Sequence, residues 1–230
     1  MDNKGTFIVI DGTDGAGKST QLELLQRRVQ KKKIPVYNIH FPQHGKPSAY
    51  FVDQYLNGKY GSVESGDINI YAASLLYALD RFDASREICA KREQGMVVLA
   101  DRYVSSNMGH QGAKLRSKEE RKKYFTWIDR TEFTLFGIPR PEMTIILHTP
   151  AVIAAELIDK KGARAYVGGV KRDIHEQDLA HLKNAEHVYL EIAKLFHKNY
   201  RVIECAEQGK LLSVDEIHER IWSVVSSLLK

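Results

Sequence analysis

Only two cysteines occur in these 230 residues, Cys89 and Cys205, too far apart in the chain to form a metal knuckle or a redox pair. Their scarcity excludes a disulfide-stapled secreted scaffold and reads as reduced thiols in a cytoplasmic protein. No apolar run approaches the length of a membrane span. The opening Met1-Asp2-Asn3-Lys4-Gly5 lacks the architecture of an export signal. Internal repeats, low-complexity tracts and a convincing linker are also missing, so one large domain over residues 1–230 is expected. The nine histidines form no H-E-x-x-H motif, and His175, His181 and His187 recur at a spacing that scatters them around a helix. The net charge of +5 is spread along the chain. That pattern speaks against a nucleic-acid surface and fits a small anionic substrate. The Lys31-Lys32-Lys33 run reads as cations offsetting a helix C-terminus, with Pro35 stopping the helix.

What the chain does carry is concentrated near its start. Phe7-Ile8-Val9-Ile10-Asp11 is an apolar strand that runs directly into G-x-x-x-x-G-K-S, followed by a helix with Leu22, Leu24, Leu25 and Val29 on its apolar face. Gly12, Gly15 and Gly17 let the backbone bend so that the N–H groups of Gly12, Thr13, Asp14, Gly15, Ala16, Gly17, Lys18, Ser19 and Thr20 can cradle phosphate oxygens. The helix beyond Gly17 turns its positive end toward the same anion. Lys18 adds a point charge for the β- and γ-phosphates, and the Ser19 hydroxyl suits Mg²⁺. A nucleoside triphosphate is the implied ligand.

Downstream, strand and helix alternate. Strands are expected at 36–41, 96–101, 143–148 and 201–205, with helices at 48–57, 66–92, 117–135 and 173–198. Thr149 and Pro150 read as the N-cap and first residue of another helix, and Ser213 with Glu216 as a capping box for the last one. A basic, glycine-containing stretch from about 160 to 173, with Lys160, Lys161, Arg164 and Arg172, reads as a mobile lid. The fold class that follows is α/β, a three-layer P-loop NTPase-type fold whose five-stranded parallel sheet is flanked by helices.

The strand ending at Asp101 sets a carboxylate where Mg²⁺ and phosphates should lie. A hydrolytic motor would follow it with glutamate to activate water, yet Arg102 stands there, suited to bidentate capture of a second phosphate group. The Asn-Lys-x-Asp motif of a guanine-reading switch is absent. A kinase for a small phosphorylated acceptor remains, with a non-catalytic ATP-binding protein as the alternative.

Four segments in order, Phe7 to Gln21, Phe41-Pro42 with Gly45, Tyr77 to Arg81, and Asp101 to Gly112, resemble the thymidylate kinase family. The resemblance implies ATP and dTMP as substrates, Mg²⁺ as cofactor and a homodimer. It implies that Asp14 reaches the acceptor's sugar, that Tyr77 stacks on the base, that Arg81 bonds its exocyclic oxygen and that Arg102 clamps the acceptor phosphate. Phe41, Ser106, Asn107, His110 and Gln111 match further acceptor contacts, and Ser19 with Asp101 the metal region. Because position 15 is glycine, a catalytic arginine is expected from the lid, Arg164 first and Arg172 second. On spacing alone, Tyr77 equally suits the core of a buried helix, and Asn107 and Gln111 equally suit turns in a glycine-containing loop. Some positions depart from the family pattern: Gln43 stands where arginine is common, His110 where tyrosine is, Asp11 where glutamate is, and His148 where an acidic residue is frequent. Gln43 removes a charge near the acceptor phosphate that either His44 or Lys46 could replace, or that Arg102 carries alone, and with His110 it leaves another nucleoside monophosphate open as acceptor.

Overall fold

Strand β1 (Phe7–Asp11) is buried along its whole length and alternates between two cores. Phe7 and Val9 face one, Ile8 and Ile10 the other, as the period of a strand requires. The computed structural model describes residues 4–160 and 179–229. Around β1 the strands β2 (Val36–His40), β3 (Val97–Asp101), β4 (Met143–His148) and β5 (Tyr200–Glu204) form one parallel sheet of order β2-β3-β1-β4-β5. The first core takes helices α3 (Ile70–Glu93), α4 (Val104–Gly112), α5 (Lys118–Asp129) and α7 (Leu179–Leu195); the second takes α1 (Lys18–Lys31) and α8 (Val214–Val225). From β1 the chain winds through β2 and β3 on one side, then crosses to β4 and β5 on the other. The crevice at such a reversal lies beyond the carboxyl ends of the strands. Asp11, Asp101 and His148 close β1, β3 and β4 at that edge.

The three-layer reading holds, and several boundaries move for identifiable reasons. Strand β2 stops at His40, although the Phe41 N–H still donates to Asp101 O at 3.0 Å. A short 3₁₀ turn (Pro47–Ala49) precedes α2 (Tyr50–Leu56) where one helix was expected. Helix α3 opens at Ile70 rather than Gly66, because Ser62, Ser65 and Asp67 tie the preceding turn to itself and the Asn69 side chain caps Ala72 N–H at 2.8 Å. The expected helix 117–135 is α5 followed by a wider π turn (Arg130–Leu135). Helix α7 begins at Leu179, and residues 173–178 of the expected helix lie outside the described residues. Thr149 does not cap α6 (Ala151–Asp159); the Ala151 N–H donates instead to Glu186 of α7 at 2.8 Å. The capping box at Ser213 and Glu216 is complete, and Ser117 with Glu120 forms another. A small hairpin, β6 (Ala206–Glu207) and β7 (Lys210–Leu211), had no counterpart among the expected elements.

Both cysteines are unpaired thiols, and burial raises that of Cys205 to about 11. Among the described residues no helix is long and apolar enough to cross a membrane. His148, at the end of β4, lies between Glu186 (2.8 Å) and Glu204 (2.6 Å). Burial works against its charge, but the two carboxylates prevail and raise its pKa. At this position, where the resembled pattern often has an acidic residue, a histidine thus ties β4 to α7 and β5.

Candidate active site

The loop leaving β1 lies against the start of α6. A Cβ built on Gly15, whose φ is +80°, would stand 2.2 Å from the backbone oxygen of Ala154. No side chain fits at that position, whatever its charge. Lys18 folds back over the loop, its Nζ donating to Gly12 O at 3.1 Å and Thr13 O at 2.7 Å. Burial, with Arg102 nearby, lowers its pKa to about 8. The ammonium therefore stays largely charged at neutral pH, and an anion in the loop would raise its pKa again.

Arg102, just past β3, adopts φ +68°, a conformation that a side chain makes costly by about 1–2 kcal/mol. Such strain persists where the surroundings over-determine it. Here the backbone N–H donates to Ile10 O at 2.9 Å, and the guanidinium meets Asp14, Gly12 O (3.4 Å), Ser106 Oγ (3.4 Å) and His110 Nε2 (3.2 Å). Behind it Asp11 is fully buried. Its oxygens accept from the Gly12 N–H (2.8 Å), Ser105 Oγ (2.5 Å), Ser106 Oγ (2.7 Å) and the Tyr189 hydroxyl (2.9 Å), a set that satisfies a charge kept from water. Ser105 and Tyr189 carried no sequence signal; their part comes from packing.

Residues 104–112 form helix α4, not the glycine-containing loop expected there. Gly109 is required by packing: a Cβ would come within 2.5 Å of the Tyr189 ring, which needs that space to reach Asp11. The helix turns Ser106, Asn107, His110 and Gln111 toward the crevice together. His110 stacks on His181 and accepts from Arg102, so its ring is neutral; burial first, then Arg102 and the neighbouring His181, hold its pKa well below the ordinary value against the opposing pull of Asp14.

Every residue expected at the acceptor, Asp14, Phe41, Tyr77, Arg81, Arg102, Ser106, Asn107, His110 and Gln111, lines one cavity of about 120 Å³. Tyr77 and Arg81 reach it from successive turns of α3, and Tyr77 stands edge-on to Tyr55 at 6.2 Å. Arg81 is buried against Glu132, which lies in the π turn: Nε donates to Oε2 at 2.5 Å and Nη2 to Oε1 at 2.7 Å. Asn107 Nδ2 donates to Ser74 O at 3.0 Å. Glu132 and Leu56 went unnoticed in the sequence, whereas His44 is legible there, with Lys46, as a candidate to offset the charge missing at Gln43, and Asp80 lies inside the Tyr77–Arg81 motif. Nothing local marks Glu132.

A second cleft of about 310 Å³ holds Gly15, Lys18, Ser19 and Asp101, and the two spaces share Asp14 and Arg102. Burial opposes the Asp101 charge, but His40, Lys18 and Arg102 lower its pKa below the usual carboxylate value. Asp101 Oδ1 is buried and has no hydrogen-bond partner among the described residues. Arg164 and Arg172, and the lid beyond Lys160, lie outside the described residues.

The family model for thymidylate kinase matches residues 10–221. The thymidylate kinase of Mycobacterium tuberculosis is 33% identical over 188 residues, 81% of this chain and 85% of that relative. A probable thymidylate kinase of Pyrobaculum aerophilum is 28% identical over 222 residues, 95% of this chain and 97% of the relative. Among solved structures, a thymidylate kinase from Candida albicans superposes with a TM-score of 0.72 at 23% identity, over 98% of this chain and 92% of that one, a likeness of fold.

Proposed function

This chain belongs to the thymidylate kinase family, and from that premise we propose how its residues share the transfer of a phosphoryl group from ATP to dTMP. The ATP phosphates lie in the loop from Gly12 to Thr20, against the N-terminal end of α1. Lys18 exchanges the Gly12 and Thr13 carbonyls for the β- and γ-oxygens. Tyr77 stacks on thymine, while Arg81, Asn107 and Gln111 address its polar edge and Phe41 closes the apolar side. Asp14 takes the sugar's 3′-hydroxyl, with Ser106 and His110 beside it, and Arg102 holds the acceptor phosphate.

The oxygens of Ser19 and Asp101 fit Mg²⁺: they are hard donors at the same cleft, and the buried Asp101 Oδ1 lacks another partner among the described residues. When bound, the ion supplies charge neutralisation on the transferring phosphoryl group. The residues themselves align donor and acceptor in line and exclude water, so no covalent intermediate is required. The cation that position 15 cannot provide comes from the lid, Arg164 first and Arg172 second.

We also read the chain as a cytoplasmic homodimer. Tyr50, Phe51, Leu79 and Phe82, each about half exposed on α2 and α3, supply an apolar face of the kind that a second copy covers.

The observation that carries this reading is the meeting of two spaces, one beside Lys18 and one beside Tyr77, at the shared Arg102 and Asp14. A coupled ADP-release assay with dTMP, dUMP, UMP, dGMP and no acceptor tests it. Turnover is expected to be highest with dTMP and negligible without acceptor. A preference for another monophosphate would discard dTMP while keeping the reaction class, and acceptor-independent ADP release would make the chain an ATPase.

A further inference from the structure

The two spaces touch along a seam of Asp14, Phe41, Pro42, His44 and Arg102. Of these, only Arg102 and His44 can present cationic hydrogen-bond donors. Arg102 divides its fork among Asp14, Gly12 O, Ser106 and His110. A phosphate dianion arriving there needs more than the share of that guanidinium left to it.

The neighbouring residues have other commitments. Gln43 is buried and turned toward α3: its N–H donates to Asp80 Oδ2 at 2.8 Å and its Nε2 to Asp80 Oδ1 at 3.1 Å. Lys46 Nζ donates to Gln43 Oε1 at 2.7 Å, and Ser48 Oγ to Asp80 Oδ1 at 2.6 Å. This anchor holds the segment after Pro42 so that His44 lines both cavities. From α2, Asp53 Oδ1 lies 2.5 Å from His44 Nδ1, and both side chains are about three-quarters buried. A carboxylate on Nδ1 fixes the tautomer and the orientation of the ring, as carboxylate–histidine pairs do elsewhere.

We propose that His44, oriented by Asp53, is a second contact to the acceptor's phosphate, with its Nε2–H donating to a phosphate oxygen opposite Arg102. The ring supplies the donor that Gln43, committed to Asp80, does not. The role of Asp53 is to position the ring. This inference rests on the reading of the Tyr77 cavity as the acceptor site.

Calorimetric titration of wild type, His44→Ala, His44→Arg and Asp53→Asn with dTMP and with thymidine, which lacks the phosphate, separates the two. Loss of one charge-assisted contact is expected to weaken dTMP about tenfold or more in His44→Ala while thymidine stays within about twofold. Asp53→Asn should move dTMP affinity in the same direction by less, and His44→Arg should recover part of it. In turnover the loss should appear chiefly in KM for dTMP. Equal weakening of both ligands would make His44 a packing residue, and unchanged dTMP affinity would also overturn the proposal. A wild-type protein that binds thymidine as tightly as dTMP would remove the acceptor reading itself.

Discussion

Arg102→Ala is expected to lower kcat/KM for dTMP by about a thousandfold, at the upper end of what one preorganised charged donor contributes to a reaction. The size follows from its place. The guanidinium sits where both spaces meet and is already aimed by Asp14, Ser106 and His110, so little reorganisation remains when the substrate arrives. Its backbone is held at φ +68° by the bond to Ile10, so a costly conformation is retained to aim one side chain. Arg102→Lys should recover only a small part of the activity, because a point charge cannot replace a planar fork. Arg102→Gly should relieve the backbone strain yet be as inactive as alanine, separating geometry from chemistry. Steady-state kinetics beside thermal melts distinguish these cases. A loss of less than about tenfold in Arg102→Ala, for a protein that still melts cooperatively, would remove Arg102 from the phosphate site.

The second large effect is on stability. Arg81 and Glu132 have 2% and 0% of their side chains exposed and form a two-point ion pair behind the Tyr77 cavity. Glu132→Ala leaves the guanidinium buried and unpaired, which typically costs about 3–5 kcal/mol. For a chain of this size that corresponds to a fall in Tm on the order of 10 °C. Asn107, which shares Glu132 as a partner at 3.5 Å, should shift with it, so KM for dTMP should rise as well. Replacing both partners by apolar residues of similar volume, Arg81→Met with Glu132→Leu, should return much of the stability without returning dTMP affinity. If Glu132→Ala melts within about 1 kcal/mol of wild type, water reaches Arg81 and the pair is not sealed.

The features legible in the sequence were those whose cause is local. A buried strand, a glycine-rich turn and an amphipathic helix in direct succession left little freedom at residues 7 to 20, and the capping box at Ser213 and Glu216 needs only a single turn of chain. The parallel sheet followed from apolar strands separated by helices. What escaped notice depends on partners far along the chain. Gly109 resembles a loop residue until Tyr189 is placed against it. Thr149 was a plausible cap, but Glu186 reaches the same helix from α7. Glu132 acquires meaning only opposite Arg81, through a π turn that no short-range pattern announces. His44 stood with Lys46 as a candidate beside the unusual Gln43, yet what singles it out is Asp80 drawing Gln43 away and Asp53 holding the ring. The residues read from the motifs as acceptor contacts come together on one cavity, while the support behind them is tertiary.

The central claim is that the phosphate of dTMP meets the γ-phosphate of ATP at the seam between the two cavities. A crystal structure of the protein with dTMP and a non-hydrolysable ATP analogue tests it most directly. The account predicts thymine against Tyr77, the monophosphate bonded to Arg102, and the triphosphate along the loop beneath Lys18. A dTMP bound elsewhere, or turned so that its phosphate points away from Arg102, would contradict it.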